Sequence, residues 1–226
     1  MNNPAPQADA SRPILYSFRR CPYAMRGRMG LFASSQVVEL REIVLRDKPA
    51  HMIEMSPKGT VPVLIMPDGR VIDESLDIML WALSSRDPLG WLNPNEGSLD
   101  QMLELIAHMD GDFKRHLDRY KYATRYEDAD ELIERGMALV ALDPLAERLK
   151  QRPQLFGSKI SLADIALFPF VRQFANTNRT WFDQAAPSPV VNWLRGHEAS
   201  QLFSDIFRRW MVWKEGDPVT LFPAPE

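Results

Sequence analysis

The sequence predicts an α/β domain followed by an all-helical one, and three observations predict it. Short β-like runs alternate with helical stretches as far as Leu83. A cluster of prolines and glycines follows, and beyond it the apolar residues recur only at helical spacing. With 226 residues, 45% of them hydrophobic, the chain can build two small domains, each with its own core.

The first dozen residues, Met1 to Arg12, are polar and rich in proline and alanine, and read as a disordered arm. Ile14 to Phe18 is a short apolar run that stops at Arg19-Arg20-Cys21-Pro22, where Pro22 suits the first position of a helix. Met25, Met29 and Phe32 then recur at helical spacing, with Arg26 and Arg28 directed elsewhere. Val37 to Val44 alternates like a strand, and Pro49 to Met55 reads as a short helix closed by Ser56-Pro57-Lys58-Gly59. Val61 to Met66 and Arg70 to Ile72 flank the turn Pro67-Asp68-Gly69 and form a hairpin, with Pro62 at a strand start where its missing N–H is tolerated. Glu74-Ser75 opens a helix from Leu76 to Leu83. The order βαβαββα over residues 13–86 is that of the thioredoxin-like fold.

Pro88, Gly90, Pro94 and Gly97 crowd one short span, which places an interdomain linker at 87–97. Residues 98–226 then form the all-helical domain. Leu99 to Tyr120 keeps a 3.6-residue period, and a second long helix is expected from Glu127 to Lys150. Ser161-Leu162-Ala163-Asp164 has the spacing of a capping box, in which serine and acid each satisfy a backbone donor of the other. Its role is helix nucleation.

A net charge of −3 gives no general pull toward nucleic acid or anionic lipid. No apolar run is long enough to span a membrane, and the N-terminus lacks the pattern of a secretory signal, so a cytoplasmic protein is expected. The four histidines show no paired spacing with a carboxylate or cysteine, so no metal site is expected. A single cysteine excludes an intramolecular disulfide.

That cysteine is the candidate for chemistry. Cys21 follows a strand and opens a helix, where unpaired N–H groups and the helix dipole favour thiolate over thiol. Arg19, Arg20, Arg26 and Arg28 add positive charge nearby. The competing reading is a buried, inert thiol. In Cys21-Pro22-Tyr23-Ala24, alanine stands where a dithiol motif has its second cysteine, so a resolving thiol must come from outside.

Cys21-Pro22-Tyr23-Ala24-Met25-Arg26, Lys48-Pro49, Val61-Pro62-Val63-Leu64 and Asp73-Glu74-Ser75, together with the Ser161 to Asp164 box, resemble cysteine-type glutathione transferases, nearest to the omega class and two-domain glutaredoxins. The resemblance runs from Pro13 to Phe207. It implies glutathione as co-substrate, a cis Pro62 that frees the backbone of Val61 to pair with the cysteinyl part, and Ser75 at a helix N-terminus holding the γ-glutamyl carboxylate. Glu74 would face the γ-glutamyl ammonium, and Lys48 the glycine carboxylate. Tyr23 is a further lining candidate. Phe113, His116 and Tyr120 are candidates for an acceptor site between the domains, although aromatic rings at such positions are more often core. Homodimerisation follows by analogy.

The activity implied is a thiol transferase or reductase working through a Cys21 mixed disulfide with glutathione, with a small hydrophobic or oxidised second substrate. The alternatives are glutathione conjugation or reductive dehalogenation of small electrophiles, and a non-catalytic binding protein on the same scaffold.

Overall fold

The computed structural model describes residues 11–224, so the expected arm lies outside the described residues as far as residue 10. The chain divides into two compact units, one of residues 1–89 with 201–226 and one of 90–200.

In the first unit the expected order is present: β1 Ile14–Ser17, α1 Pro22–Ser34, β2 Val38–Glu42, α2 Ala50–Met55, β3 Val63–Ile65, β4 Val71–Ile72 and α3 Ser75–Ser85. β1 runs parallel to β2, with Ile14 opposite Glu39, and antiparallel to β3, with Ile14 opposite Ile65. β1, β2 and β3 are largely buried, with Leu15, Tyr16, Val38, Leu40, Val63 and Leu64 at 2% exposure or less. α1 starts at Pro22 and ends at Ser35, whose φ of 57° is left-handed. The N–H groups of Ser35 and Gln36 return to Phe32 O and Leu31 O, a Schellman closure.

α1 and α3 pack at close range through Gly30, where a Cβ would stand 2.8 Å from Met79 Cα. Backbone cannot yield as a flexible side chain does. Gly30→Ala is therefore expected to cost about 1–3 kcal/mol, read as a lower urea midpoint, and an unchanged midpoint would show that the helices part freely.

The structure redraws the expected domains. The tail does not belong to a purely helical domain over 98–226. Residues 201–226 return to the first unit through α11 Gln201–Phe207, and β5 Leu221–Phe222 pairs antiparallel with β2, giving the sheet order β4-β3-β1-β2-β5. Without it β2 would be a bare edge with unpaired N–H and C=O groups. The boundary between the units, after Leu89, falls inside the expected linker 87–97, and the later part of that span is fastened to the second unit. Trp91 is buried with its carbonyl accepting from Leu162 N–H, Glu96 N–H reaches Phe156 O, and Asn95 Oδ1 accepts from Ser158 Oγ and Lys159 N, all within the second unit.

The second unit is helical. α4 Leu99–His108 opens on a capping box of Ser98 and Gln101 and runs through a π-helical turn, Met109–Phe113, into α5 Lys114–Lys121. The expected helix from Glu127 to Lys150 is instead two, α6 Glu131–Val140 and α7 Asp143–Leu149. Pro144, which lacks an N–H and clashes with the preceding turn, permits only a new first turn there. α8 Leu162–Ala175 is buried over most of its length and forms the centre of this unit, with α9 Arg179–Ala185 and α10 Ser188–Glu198 around it. Among the described residues no helix is long and apolar enough to cross a membrane.

Candidate functional site

β1 delivers the chain to a loop, Phe18-Arg19-Arg20, that turns into α1 at Cys21. Cys21 is the N-cap residue, in extended conformation with φ −71° and ψ 124°, and its N–H closes the loop onto Phe18 O at 3.0 Å. No side-chain hydrogen bond caps α1, and the first-turn N–H groups of a helix have no intrahelical acceptor. The thiol is half-buried, not enclosed, and Cys21 Sγ lies 3.6 Å from Val61 O.

Val61-Pro62 is a cis peptide bond, as the resemblance implied. Tight packing holds this loop behind the thiol, since a Cβ on Gly27 of α1 would meet the Pro62 ring at 3.4 Å. Ser75, buried, is the first residue of α3, whose N-cap Glu74 makes no side-chain cap hydrogen bond, leaving first-turn donors available for an anion. Two ties brace this corner from the α2–β3 loop: Ser56 Oγ donates to Asp73 Oδ2 at 2.8 Å, and Lys58 pairs with Glu74 while also reaching Asp73 O at 3.3 Å. Glu74 is exposed, so its pairing with Lys58 is open to competition from a ligand cation.

Lys48 is exposed, and its ammonium lies 3.6 Å from where a Cβ of Gly59 would stand, two residues before Val61. It also lines a cavity of about 840 Å³ shared with Arg41, His51 and Trp213. Tyr23 is half-buried beneath the Arg26 guanidinium, 5.9 Å from its ring centre. Thus Cys21 is brought to the Val61 carbonyl that precedes Pro62, while Glu74 and Ser75 form the start of α3 and Lys48 lies by Gly59.

The acceptor candidates are placed otherwise. Phe113 and Tyr120 are 1% and 3% exposed, and both rings meet Phe174 of α8 edge-on at 5.7 and 5.8 Å, so they are core residues of the second unit. His116 is buried too, with Nδ1 2.6 Å from Glu134 Oε2 and Nε2 3.0 Å from Arg115 Nη2. Apolar burial takes up the two aromatic rings, and the imidazole is engaged by Glu134 and Arg115.

Sequence reasoning missed a buried charge behind the loop. Arg28, expected to be directed away from the core, is fully buried, and donates to Ser17 Oγ at 2.5 Å, Arg19 O at 2.7 Å, Phe18 O at 3.4 Å and, from Nε, Ile206 O at 3.0 Å. Burial pulls its pKa down to about 10, against the raising influence of Glu42 and Cys21. Glu42 accepts Arg19 N–H at 2.6 Å, and burial pushes its carboxyl upward while Arg19 and Arg28 oppose that. A polar residue at a helical core position was the available signal. The tail segment that completes these contacts has none.

Comparisons with known proteins agree on one family. A family model for the glutathione S-transferase N-terminal domain matches residues 15–90, and one for the glutathione S-transferase C-terminal domain matches 123–196. Glutathione S-transferase omega-1 of Rattus norvegicus is 42% identical over 62 residues, 27% of this chain and 26% of the relative. The probable glutathione S-transferase DHAR1, cytosolic, of Oryza sativa subsp. japonica is 26% identical over 150 residues, 66% of this chain and 64% of that one. The chain thus aligns with about a quarter of the omega-1 relative's length. Among solved structures, a glutathione transferase family member from Pseudomonas fluorescens with two glutathione bound superimposes with a TM-score of 0.76 at 17% identity, covering 89% of this chain and 95% of that one. Glutathione transferase Omega 3C from Trametes versicolor does so with 0.71 at 21% identity, covering 85% and 82%. These two likenesses show the fold.

Proposed function

Because the chain belongs to the glutathione S-transferase family, we propose that it is a glutathione-dependent thiol transferase acting through a mixed disulfide at Cys21. The observation that carries this reading is the position of Cys21 Sγ: at an uncapped helix N-terminus, half-buried, 3.6 Å from the carbonyl that precedes cis-Pro62, with alanine at the place of a second thiol. The omega-1 and DHAR1 relatives support the reading through their names.

In the proposed cycle the Cys21 thiolate attacks one sulfur of a glutathione-containing disulfide. The Cys21–S–S–glutathione bond forms, the old S–S bond breaks, and the departing thiolate takes a proton from water. A second glutathione thiolate then attacks the glutathione sulfur of the mixed disulfide, releasing oxidised glutathione and restoring Cys21 as thiolate. Electrons balance without any other oxidant or reductant. The chain's contribution is binding and orientation. The Val61 backbone pairs with the peptide of glutathione, the first turn of α3 with Ser75 takes the γ-glutamyl carboxylate, and Glu74 exchanges Lys58 for the γ-glutamyl ammonium. Lys48 is the partner offered to the glycine carboxylate, and the α1 terminus stabilises the anionic sulfur.

Intact-protein mass spectrometry tests the reading. Incubation with oxidised glutathione is expected to add one glutathione, reduced glutathione to remove it, and Cys21→Ser to show no adduct. Absence of an adduct on the wild-type protein would leave conjugation or partner binding as the function of this scaffold.

A further inference from the structure

We propose that Arg28 is the positioning residue of Cys21: its buried guanidinium holds the backbone of the loop that presents the thiol, ties that loop to the C-terminal segment, and supplies the fixed positive charge that favours the thiolate. The proposal rests on Cys21 being the reactive group.

The geometry is specific. Arg28 binds three consecutive residues, Ser17, Phe18 and Arg19, and one of its acceptors, Phe18 O, is the same carbonyl that receives Cys21 N–H. Displacing the guanidinium therefore removes one of the two donors that hold the Phe18 carbonyl, on which the N-cap conformation of Cys21 rests. On the other side Nε grips Ile206 O at the end of α11, and Trp210 lies over the guanidinium at 5.2 Å. Arg19 repeats the tie, with its guanidinium 4.6 Å from the centre of the Phe207 ring. Only arginine has a planar fork with enough donors for four acceptors diverging in this way.

A buried cation needs a negative counterpart. Glu42 of β2 provides one, bound to Arg19 N–H through Oε1, while its Oε2 is buried with no hydrogen-bond partner among the described residues. Arg19 and Arg20 within the loop, Arg26 on α1 and Arg208 over Trp210 in the tail add positive charge. A Cys21 thiolate thus forms in a positive surrounding that Glu42 offsets only in part, and burial of Arg28 keeps its share unscreened.

The test compares wild type, Arg28→Gln and Arg28→Lys by the rate of Cys21 alkylation with iodoacetamide across the pH range of thiol titration, each variant first checked for native circular dichroism. Gln keeps donors for the carbonyls and removes the charge. Lys keeps the charge and loses the fork. The midpoint is expected to rise by about one pH unit in Arg28→Gln, slowing alkylation at neutral pH roughly tenfold, with Lys recovering part of the shift. Midpoints unmoved in the folded variants overturn the proposal. Should Arg28→Gln fail to fold, Arg28→Lys decides: a midpoint raised by less than about one unit supports the proposal, and an unmoved one overturns it, since the fork is what holds the loop. Iodoacetamide needs no glutathione site, so this readout stands or falls separately from mixed-disulfide formation.

Discussion

Turnover of a glutathione mixed disulfide is expected to fall by roughly 10³-fold or more in Cys21→Ser, with the circular dichroism spectrum and urea midpoint unchanged. Serine preserves the size of the side chain and its place beside Val61 O, so packing is hardly disturbed. Its hydroxyl stays protonated where a thiol at a helix N-terminus ionises, and oxygen cannot form the disulfide intermediate at all. The measurement is steady-state reduction of a small glutathione mixed disulfide coupled to glutathione reductase. Retention of most of the rate by Cys21→Ser would mean that the protein only binds glutathione and that the reaction needs no covalent step here. A large loss in thiol transfer accompanied by a gain in conjugation of an electrophilic aromatic substrate would point to the hydrogen-bonding role that serine plays better than cysteine.

The largest loss of stability is expected at Asp164, a residue the sequence marks only as half of a cap. Its carboxylate is completely buried and accepts from Ser161 N at 2.9 Å, Ser161 Oγ at 2.7 Å, Leu155 N at 2.8 Å and Trp193 Nε1 at 2.9 Å. It therefore fastens the start of α8, the 154–157 turn and α10 to one point. Asp164→Ala strands these donors in a buried place, and a cost of about 4 kcal/mol is expected, well above the ~1 kcal/mol of a lost surface cap. Asp164→Asn, which retains one acceptor oxygen, should lose less. Urea unfolding of the three proteins decides it. A penalty for Asp164→Ala near that of a simple cap would show that water or a repacked turn satisfies the donors.

How much of this was legible beforehand varies with the range of the interaction responsible. The order βαβαββα, the helix start at Pro22 and the Ser161 to Asp164 box all follow from residues adjacent or a few positions apart, where dihedral preferences and local hydrogen bonds act directly, whereas the cis form of Pro62 came only from the resemblance. The break at Pro144 was equally local and was present in the sequence as a proline within an otherwise periodic stretch. The acceptor candidates are a different case. Aromatic residues on an amphipathic helix are equally compatible with a binding wall and a core, and only the position of Phe174 on a distant helix shows that Phe113 and Tyr120 are core.

By itself the sequence determined two domain types, a cysteine at a strand-to-helix junction and the absence of a second thiol, because each depends on identity and short spacing. Tertiary structure alone decided that residues 201–226 rejoin the first unit and complete its sheet, that Arg28 is buried under the Cys21 loop, and that Glu42 faces it. Those outcomes depend on pairing an exposed strand edge and neutralising a buried charge with groups far apart along the chain. No periodicity records such partners, since the free energy that selects them exists only once the chain has brought them together.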